Sequence, residues 1–586
     1  MKYIANGYQF ESDSEYDITL TVQEESAVRT VIKICIDFHG QVIPKSVKIR
    51  WRTPCGRVYA MWNCLDNRSR SLCPDWAMAC NASRAVSGMP LQCYIGRRGE
   101  NIITTALSDV STPVWLRSGV VEETAEIAWE LVLFPELPGE MSEYSAYLLL
   151  DANEVPYQES INRVSRWWEK FGYVNGNTPP EAFDSVYSTW YSYHQNVTSD
   201  VLIEELKAAA QLGIKTVIVD DGWQTEDNGR GYAHCGIWKP AATKIADMKA
   251  FTEQVHKLGM KLMLWFSVPF VGLHSEIYER FKNQVLGPGD GNAVVLDPRY
   301  PEVRKYLIQS YEYAVTRWKI DGLKLDFIDS FRLTESSNTF SPEMDTASVD
   351  EGVCLLLEEV NKALTKLNPN ILIEFRQSYI GPVMLKYGNM LRAADCPMDA
   401  PTNRVSVINL RMTSGNRAVH SDMLMWELSE SAEKAAAQVI AVLFSVPQIS
   451  VRINELPEAQ YQMLKHYLEF WQDNREVLTQ GDLKVKNPEA NYSIVVAEKG
   501  EKAVAVAYSE SVLEIGKPYS RLSFINGTSG NKLYIENNGA DCAYHCRVYD
   551  CTGKVVLENE VMLTSGINAF EVPFSGLMKF RKKLGV

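Results

Sequence analysis

Over residues 1–163 apolar and polar positions alternate with a period of two. Segments 17–23, 30–38, 46–52, 127–134 and 144–152 are β-branched or alternating and are separated by turn residues, the signature of half-buried strands. Long antiparallel strands of this kind predict a β-sandwich. From residue 164 the period changes, and short apolar runs alternate with helical ones. Strands are predicted at 186–190, 215–221, 260–266, 322–326, 370–375, 389–394, 417–420 and 447–451. Between them lie a helix at 201–212, capped by Thr198 or Ser199 and stopped by Gly213, and another at 301–318. A third opens with the capping box Ser348-Val-Asp-Glu351, and an alanine-rich one covers 431–444.

Eight strands with intervening helices predict a (β/α)8 barrel over 164–480. A doubly wound sheet would want a glycine-rich phosphate loop after its first strand, and Ser192-Tyr-His-Gln195 offers none. After a helix at 457–477 the β pattern returns at 492–497, 503–508, 532–534, 543–549 and 554–561. It predicts a small C-terminal β-sandwich over 481–586, with packing as its default role.

Three such domains suit 586 residues, and a composition that is 46% hydrophobic and 23% charged is that of an ordinary globular chain. The net charge of −14 disfavours a nucleic-acid or anionic-membrane partner, both of which need a basic face, and favours a neutral substrate. The first residues lack an apolar signal region, and no run reaches the length of a membrane span. A cytoplasmic protein is expected, and nothing in the pattern opposes a homo-oligomer. Twelve cysteines at irregular spacing, without a Cys-x-x-Cys pair, predict reduced thiols rather than a disulfide or zinc framework. Trp51, Trp62, Trp76 and Trp115 are expected in core and inter-domain packing rather than as sugar platforms.

The ends of the predicted barrel strands carry Trp190, Asp220, Asp221, Trp265, Lys324, Asp326, Arg376, Arg392, Asp395, His420 and Asp422. Paired acids, cations and indoles describe a pocket for a polyhydroxylated ring: charged groups bond hydroxyls, and indole faces cover the C–H side of a sugar. No phosphate cradle accompanies them, and no cofactor is called for. Asp326, two residues from Lys324 on one strand, should stay ionised and act as nucleophile. Asp395 is then the proton donor, kept protonated by a neighbouring acid such as Asp399 or by partial burial. A metal-dependent hydrolase using Asp220, Asp326, His420 and Asp422 is a rival, but it lacks the His-x-His expected at strand one, so no metal is expected.

Four motifs in order, Asp220-Asp-Gly-Trp-Gln224, Leu264-Trp-Phe266, Lys324-Leu-Asp326 and Arg392-Ala-Ala-Asp395, resemble glycoside hydrolase family 36, which contains α-galactosidases and raffinose synthases. The resemblance extends to the flanking β-sandwiches. It implies a retaining, exo-acting α-glycosidase, most simply an α-galactosidase acting on an oligosaccharide or glycoside, with Asp326 as nucleophile and Asp395 as acid/base. It also implies that Asp220 and Asp221 hold the C4 and C6 hydroxyls, Lys324 those near C3 and Arg392 the C2 side, with Trp190 and Trp265 shaping the pocket.

The chain departs from the family pattern in three places. Trp238, in Cys235-Gly-Ile-Trp238, stands where many members have Gly-Asp-Trp. Phe266-Ser-Val-Pro269 replaces Phe-Glu-Pro-Glu, and Glu374-Phe-Arg-Gln-Ser-Tyr379 replaces a cysteine- and glycine-rich stretch. Arg376, Gln377 and Tyr379 could therefore re-fit the C2 or leaving-group side, for an α-N-acetylgalactosaminide, an α-glucoside or a β-L-arabinopyranoside. A transglycosylase on the same machinery and a non-catalytic sugar-binding protein are the other readings. His420 is expected to support the pocket from behind or to hydrogen-bond within it.

Overall fold

Eight short parallel strands close on themselves in a computed structural model that describes residues 2–65, 68–136 and 139–583. They are β1 (Val186–Ser188), β2 (Thr216–Val219), β3 (Lys261–Ser267), β4 (Gly322–Asp326), β5 (Leu372–Arg376), β6 (Met390–Arg392), β7 (Ala418–Leu424) and β8 (Val446–Ile449), with β8 pairing back onto β1. Parallel strands covered on both faces need continuous apolar runs, and β2, β4 and β7 are buried from end to end. Gly322 opens β4 because nothing larger fits. A Cβ there would lie 2.6 Å from the Leu372 carbonyl oxygen and 2.9 Å from Met263 Cγ.

The register sets Trp265 beside Lys324, Ser267 beside Asp326, Lys324 beside Glu374, and Arg376 beside Arg392. Polar groups that would be intolerable singly in this core thus gather at the C-terminal end of one barrel.

The helices follow their sequence signals with one difference of detail at each end. Ser199–Gln211 starts after Thr198 and stops before Gly213, and Glu458–Gln480 leads out of the barrel. Val349–Leu367 is capped by Ser348, whose hydroxyl accepts from the Glu351 amide, but the Glu351 carboxylate takes the Thr346 hydroxyl instead of closing the box. The helix from Pro301 runs as α only to Tyr313 and widens into a π turn at Ala314–Trp318, ended by Lys319 at φ 63°. A further three-stranded sheet, Phe270–Gly272, Val285–Pro288 and Ala293–Leu296, is inserted between β3 and β4. Its strands are too short to show a period.

The N-terminal region forms two six-stranded sheets, and residues 482–582 form a seven-stranded and a three-stranded sheet. Strands such as Leu91–Gly96 escaped the sequence reading because they are buried on both faces and do not alternate. Trp51 stacks on Trp129 at 5.8 Å, and buried Trp62 donates to Asn409 across the junction with the barrel at 2.9 Å. Trp76 corrects the packing expectation: it stands 77% exposed on a short turn, with its indole reaching only the Glu122 carboxylate at 3.4 Å among the described residues. All twelve cysteines are free thiols. Among the described residues no helix is long and apolar enough to cross a membrane.

Candidate active site

Asp326 ends β4 and is almost fully buried. Phe327, the next residue, sits at φ 65°, a left-handed conformation that costs a bulky side chain about 1–2 kcal/mol. That turn folds its amide back onto Asp326 Oδ1 at 2.8 Å. Arg376 Nε at 2.7 Å and the Tyr379 hydroxyl at 3.0 Å bond the same oxygen. Among the described residues Oδ2 receives only the Trp265 indole, at 3.0 Å, with Lys324 Nζ at 3.8 Å. Burial pushes the Asp326 carboxyl up, but Arg376, Lys324 and Arg392 pull it far below the ordinary carboxylate range. The result is a carboxylate that favours its anion, with one oxygen anchored and the other comparatively free.

Lys324 also binds Asp220 Oδ2 at 2.7 Å, and Asp220 Oδ1 accepts the Asp221 amide at 2.9 Å. The chain turns at Gly222, φ 117°, and the two neighbouring acids part. Asp221 is gripped by the Gln195 and Gln224 amides at 2.5 and 2.6 Å. Burial raises its carboxyl to about 6, while these amides act to lower it. Tyr232, from the loop after β2, stacks on Trp265 at 6.1 Å and meets Phe327 at 5.0 Å, and the negative field of Asp326 and Asp221 falls on its phenol.

Asp395 lies three residues beyond β6, and its carboxylate is about half open to solvent. Arg392 Nη1 binds Asp395 Oδ1 at 2.8 Å and, with its second hydrogen, Asp422 Oδ1 at 2.5 Å. This corrects the expected means of protonating Asp395. Asp399 is a helix cap, bonded to the Thr402 amide and hydroxyl at 3.0 and 2.6 Å. Burial raises Asp395, but Arg392 and Lys324 outweigh it and leave the group below its ordinary value.

Two other expectations are corrected. His420 is wholly buried and does not reach the pocket as a substrate-binding residue: its Nε2 meets the Ala182 carbonyl at 2.8 Å, just before β1 begins, while its Nδ1 lies 3.4 Å from Gln448, which bonds Glu374 beneath the site, and burial lowers it to about 4. The four residues of the metal reading therefore do not converge. Trp238, expected among the substrate-binding residues from its place in the family pattern, packs behind Trp265, at 6.0 Å, and against Phe266 at 5.0 Å. Trp190 opens a short helix, Trp190–Tyr193, with its ring 4.6 Å from that of His194.

The site also holds residues that strand-end reading did not assign. Glu374 lies inside the barrel below Lys324 and Arg392, bonded by Gln448, and burial raises it to about 7. Asp329 stands 3.8 Å from Arg376 Nη2 and accepts Ser378 Oγ at 3.2 Å; Ser378 in turn accepts Ser87 of the N-terminal region at 3.0 Å. The Gly88 amide bonds the Ser378 carbonyl at 3.0 Å, so a sandwich loop braces the segment after β5. Asp329, an acid three residues past Asp326, was the one signal in sequence; Tyr232 and Ser87 had none.

The sequence pattern of the Melibiase family fits residues 185–481, just over half of the 586 residues. The chain belongs to that family. It is 24% identical over 378 residues to α-galactosidase AgaA of Geobacillus stearothermophilus, a match covering 60% of this chain and 50% of that protein. To α-galactosidase 2 of Pediococcus pentosaceus it is 25% identical over 235 residues, 38% of this chain and 32% of that one. These matches thus span half or less of the relatives' own length. The crystal structure of the Geobacillus enzyme superposes with a TM-score of 0.65 at 15% identity, covering 99% of this chain and 82% of that one. At that identity the likeness shows the fold: the family's barrel with β-rich flanks on both sides.

Proposed function

We propose that the chain is a retaining, exo-acting α-glycosidase, most simply an α-galactosidase, with the barrel of residues 164–480 as catalytic unit between flanks at 1–163 and 481–586. The observation that carries this is the inequality of the two carboxylates. Asp326 is a buried anion whose Oδ2 takes a single hydrogen bond, from Trp265, beside Lys324, and Asp395 is a solvent-reached acid two strands round the barrel, beyond the end of β6. In the first step Asp326 Oδ2 attacks the anomeric carbon while Asp395 gives its proton to the departing oxygen. In the second, Asp395 removes a proton from water, which attacks the same carbon and releases Asp326. Because Arg392 favours the ionised form of Asp395, the protonated fraction grows as pH falls, and the rate on poor leaving groups should climb toward acid pH.

Asp220 and Lys324 offer an acceptor and a donor to adjacent ring hydroxyls, Trp265 and Tyr232 flank the ring, and Arg376 closes the side that the departing segment 374–379 has rebuilt. Variants of the Geobacillus relative were crystallised with stachyose and with raffinose, both α-galactosides. A buried set of hydroxyl partners penalises the wrong epimer, since its own groups go unpaired. The expected preference for galacto over gluco is at least about a hundredfold in kcat/KM, roughly 2.7 kcal/mol. A panel of nitrophenyl α-galactoside, α-glucoside, α-N-acetylgalactosaminide and β-L-arabinopyranoside tests it. Equal or better turnover of the α-glucoside would refute the galactoside assignment.

A further inference from the structure

Asp422 lies in β7 with no exposure to solvent. A carboxylate removed from water this completely needs partners for its oxygens. Oδ1 takes Arg392 Nη1 at 2.5 Å, and Oδ2 takes the Cys396 amide at 2.7 Å and the Tyr191 hydroxyl at 3.0 Å. Asn403 fixes its backbone from the helix behind, accepting its amide at 3.0 Å. Two of these contacts lead to Asp395. Cys396 is the residue after it, and Arg392 Nη1 is the nitrogen that Asp395 itself binds at 2.8 Å.

One nitrogen with two hydrogens is therefore shared between two carboxylates, one buried and one at the mouth. On the reading that Asp395 is the acid/base, we infer that Asp422 is a positioning residue for it. Asp422 fixes the 395–396 turn and shares the Arg392 cation, so that Asp395 can take up a proton without stranding a buried positive charge.

The groups facing Asp395 support this. Arg392 and Lys324 favour its anion; Asp326 opposes it, and so does Asp422, whose Oδ2 holds the Tyr191 phenol. The Cys396 thiol is raised by burial and by Asp422 and stays neutral. Glu374 also faces Arg392, 3.7 Å from its Nε on the other side of the guanidinium, but without Asp422 the Nη1 end of the cation would rest on Asp395 alone and hold its proton off. With Asp422, Arg392 remains paired in both states of the cycle. Asp395 gives its proton to the glycosidic oxygen as the bond to the anomeric carbon breaks, becomes an anion on Arg392, and regains a proton from the attacking water.

The test compares wild type with D422N on 4-nitrophenyl α-galactoside, which leaves without a proton, and on melibiose, whose sugar leaving group needs one. D422N should lose about tenfold in kcat/KM on melibiose and less than about twofold on the aryl substrate, and the falling limb of its melibiose pH profile should move about one pH unit toward acid. Y191F, which removes one donor from Oδ2 at the half-exposed mouth, should shift the same ratio in the same direction by about threefold, and decides the matter if D422N does not fold. Equal losses on both substrates with an unmoved pH limb would make Asp422 merely structural and overturn the inference. A wild type that turns over neither substrate would overturn the glycosidase reading with it.

Discussion

Arg376→Met isolates the feature that most sets this pocket apart, a guanidinium bound directly to the proposed nucleophile. Nε lies 2.7 Å from Asp326 Oδ1, with the side chain mostly buried. Opposite charges centred about 4 Å apart interact by about 4 kcal/mol at an effective dielectric near 20. Divided by about 1.4 kcal/mol per pH unit, this is about 3 units of displacement in the Asp326 carboxyl. Lys324, the Phe327 amide, Tyr379 and Trp265 stay in place, so Asp326 should return to the neighbourhood of an ordinary aspartate, about 3.9, or slightly above it. The aryl galactoside reads this out, because its rate depends on ionised Asp326 and hardly on Asp395. In wild type, kcat/KM for that substrate should not decline on the acid side through Asp326; in the variant it should fall about tenfold per unit below about pH 4.

Stability follows the same sign. A carboxyl held below its unfolded value stabilises the fold at neutral pH, and that contribution disappears only as pH falls through the folded value. The variant should therefore be less stable than wild type at pH 7, and the gap should close toward pH 2. Superimposable rate profiles, or a stability gap that widens in acid, would refute the reasoning.

Asp326→Ala should abolish turnover, and azide should restore it with an inverted glycosyl azide as product, since a small anion fits the vacated position; rescue with retained configuration would contradict the assignment. Asp395→Ala should cost at least about a hundredfold more on melibiose than on the nitrophenyl galactoside, as only the former needs a proton. Equal losses would remove Asp395 from the acid role.

The barrel was readable because each strand repeats one physical signal, a short apolar run ending in a polar residue that a core would reject; Val217–Val219 before Asp220 and Leu323–Leu325 before Asp326 are of this kind. What a strand end delivers is legible, but where a side chain turns afterwards is not. Asp220 and Asp221 are neighbours in sequence and part in space because Gly222 reverses the chain. His420 shares the composition of the site yet does not reach the pocket, its Nε2 being held by the Ala182 carbonyl, which is 238 residues away in sequence. The protonation of Asp395 was misjudged for a related reason. The nearest acid in sequence, Asp399, is occupied by a helix end, and the groups that set its charge, Arg392 and Asp422, come from two different strands. In the sandwiches, exposed alternating strands such as Asp17–Glu25 were visible and fully buried ones such as Leu91–Gly96 were not.

The most direct test of the central claim is covalent trapping with 5-fluoro-α-galactosyl fluoride, whose activated leaving group speeds the first step while its fluorine slows the second. After digestion, mass spectrometry of the inactivated protein should find one fluorogalactosyl group, on the peptide carrying Asp326 and on that residue. Label on Asp395 or elsewhere, or turnover with inversion and no label, would contradict a double displacement on Asp326.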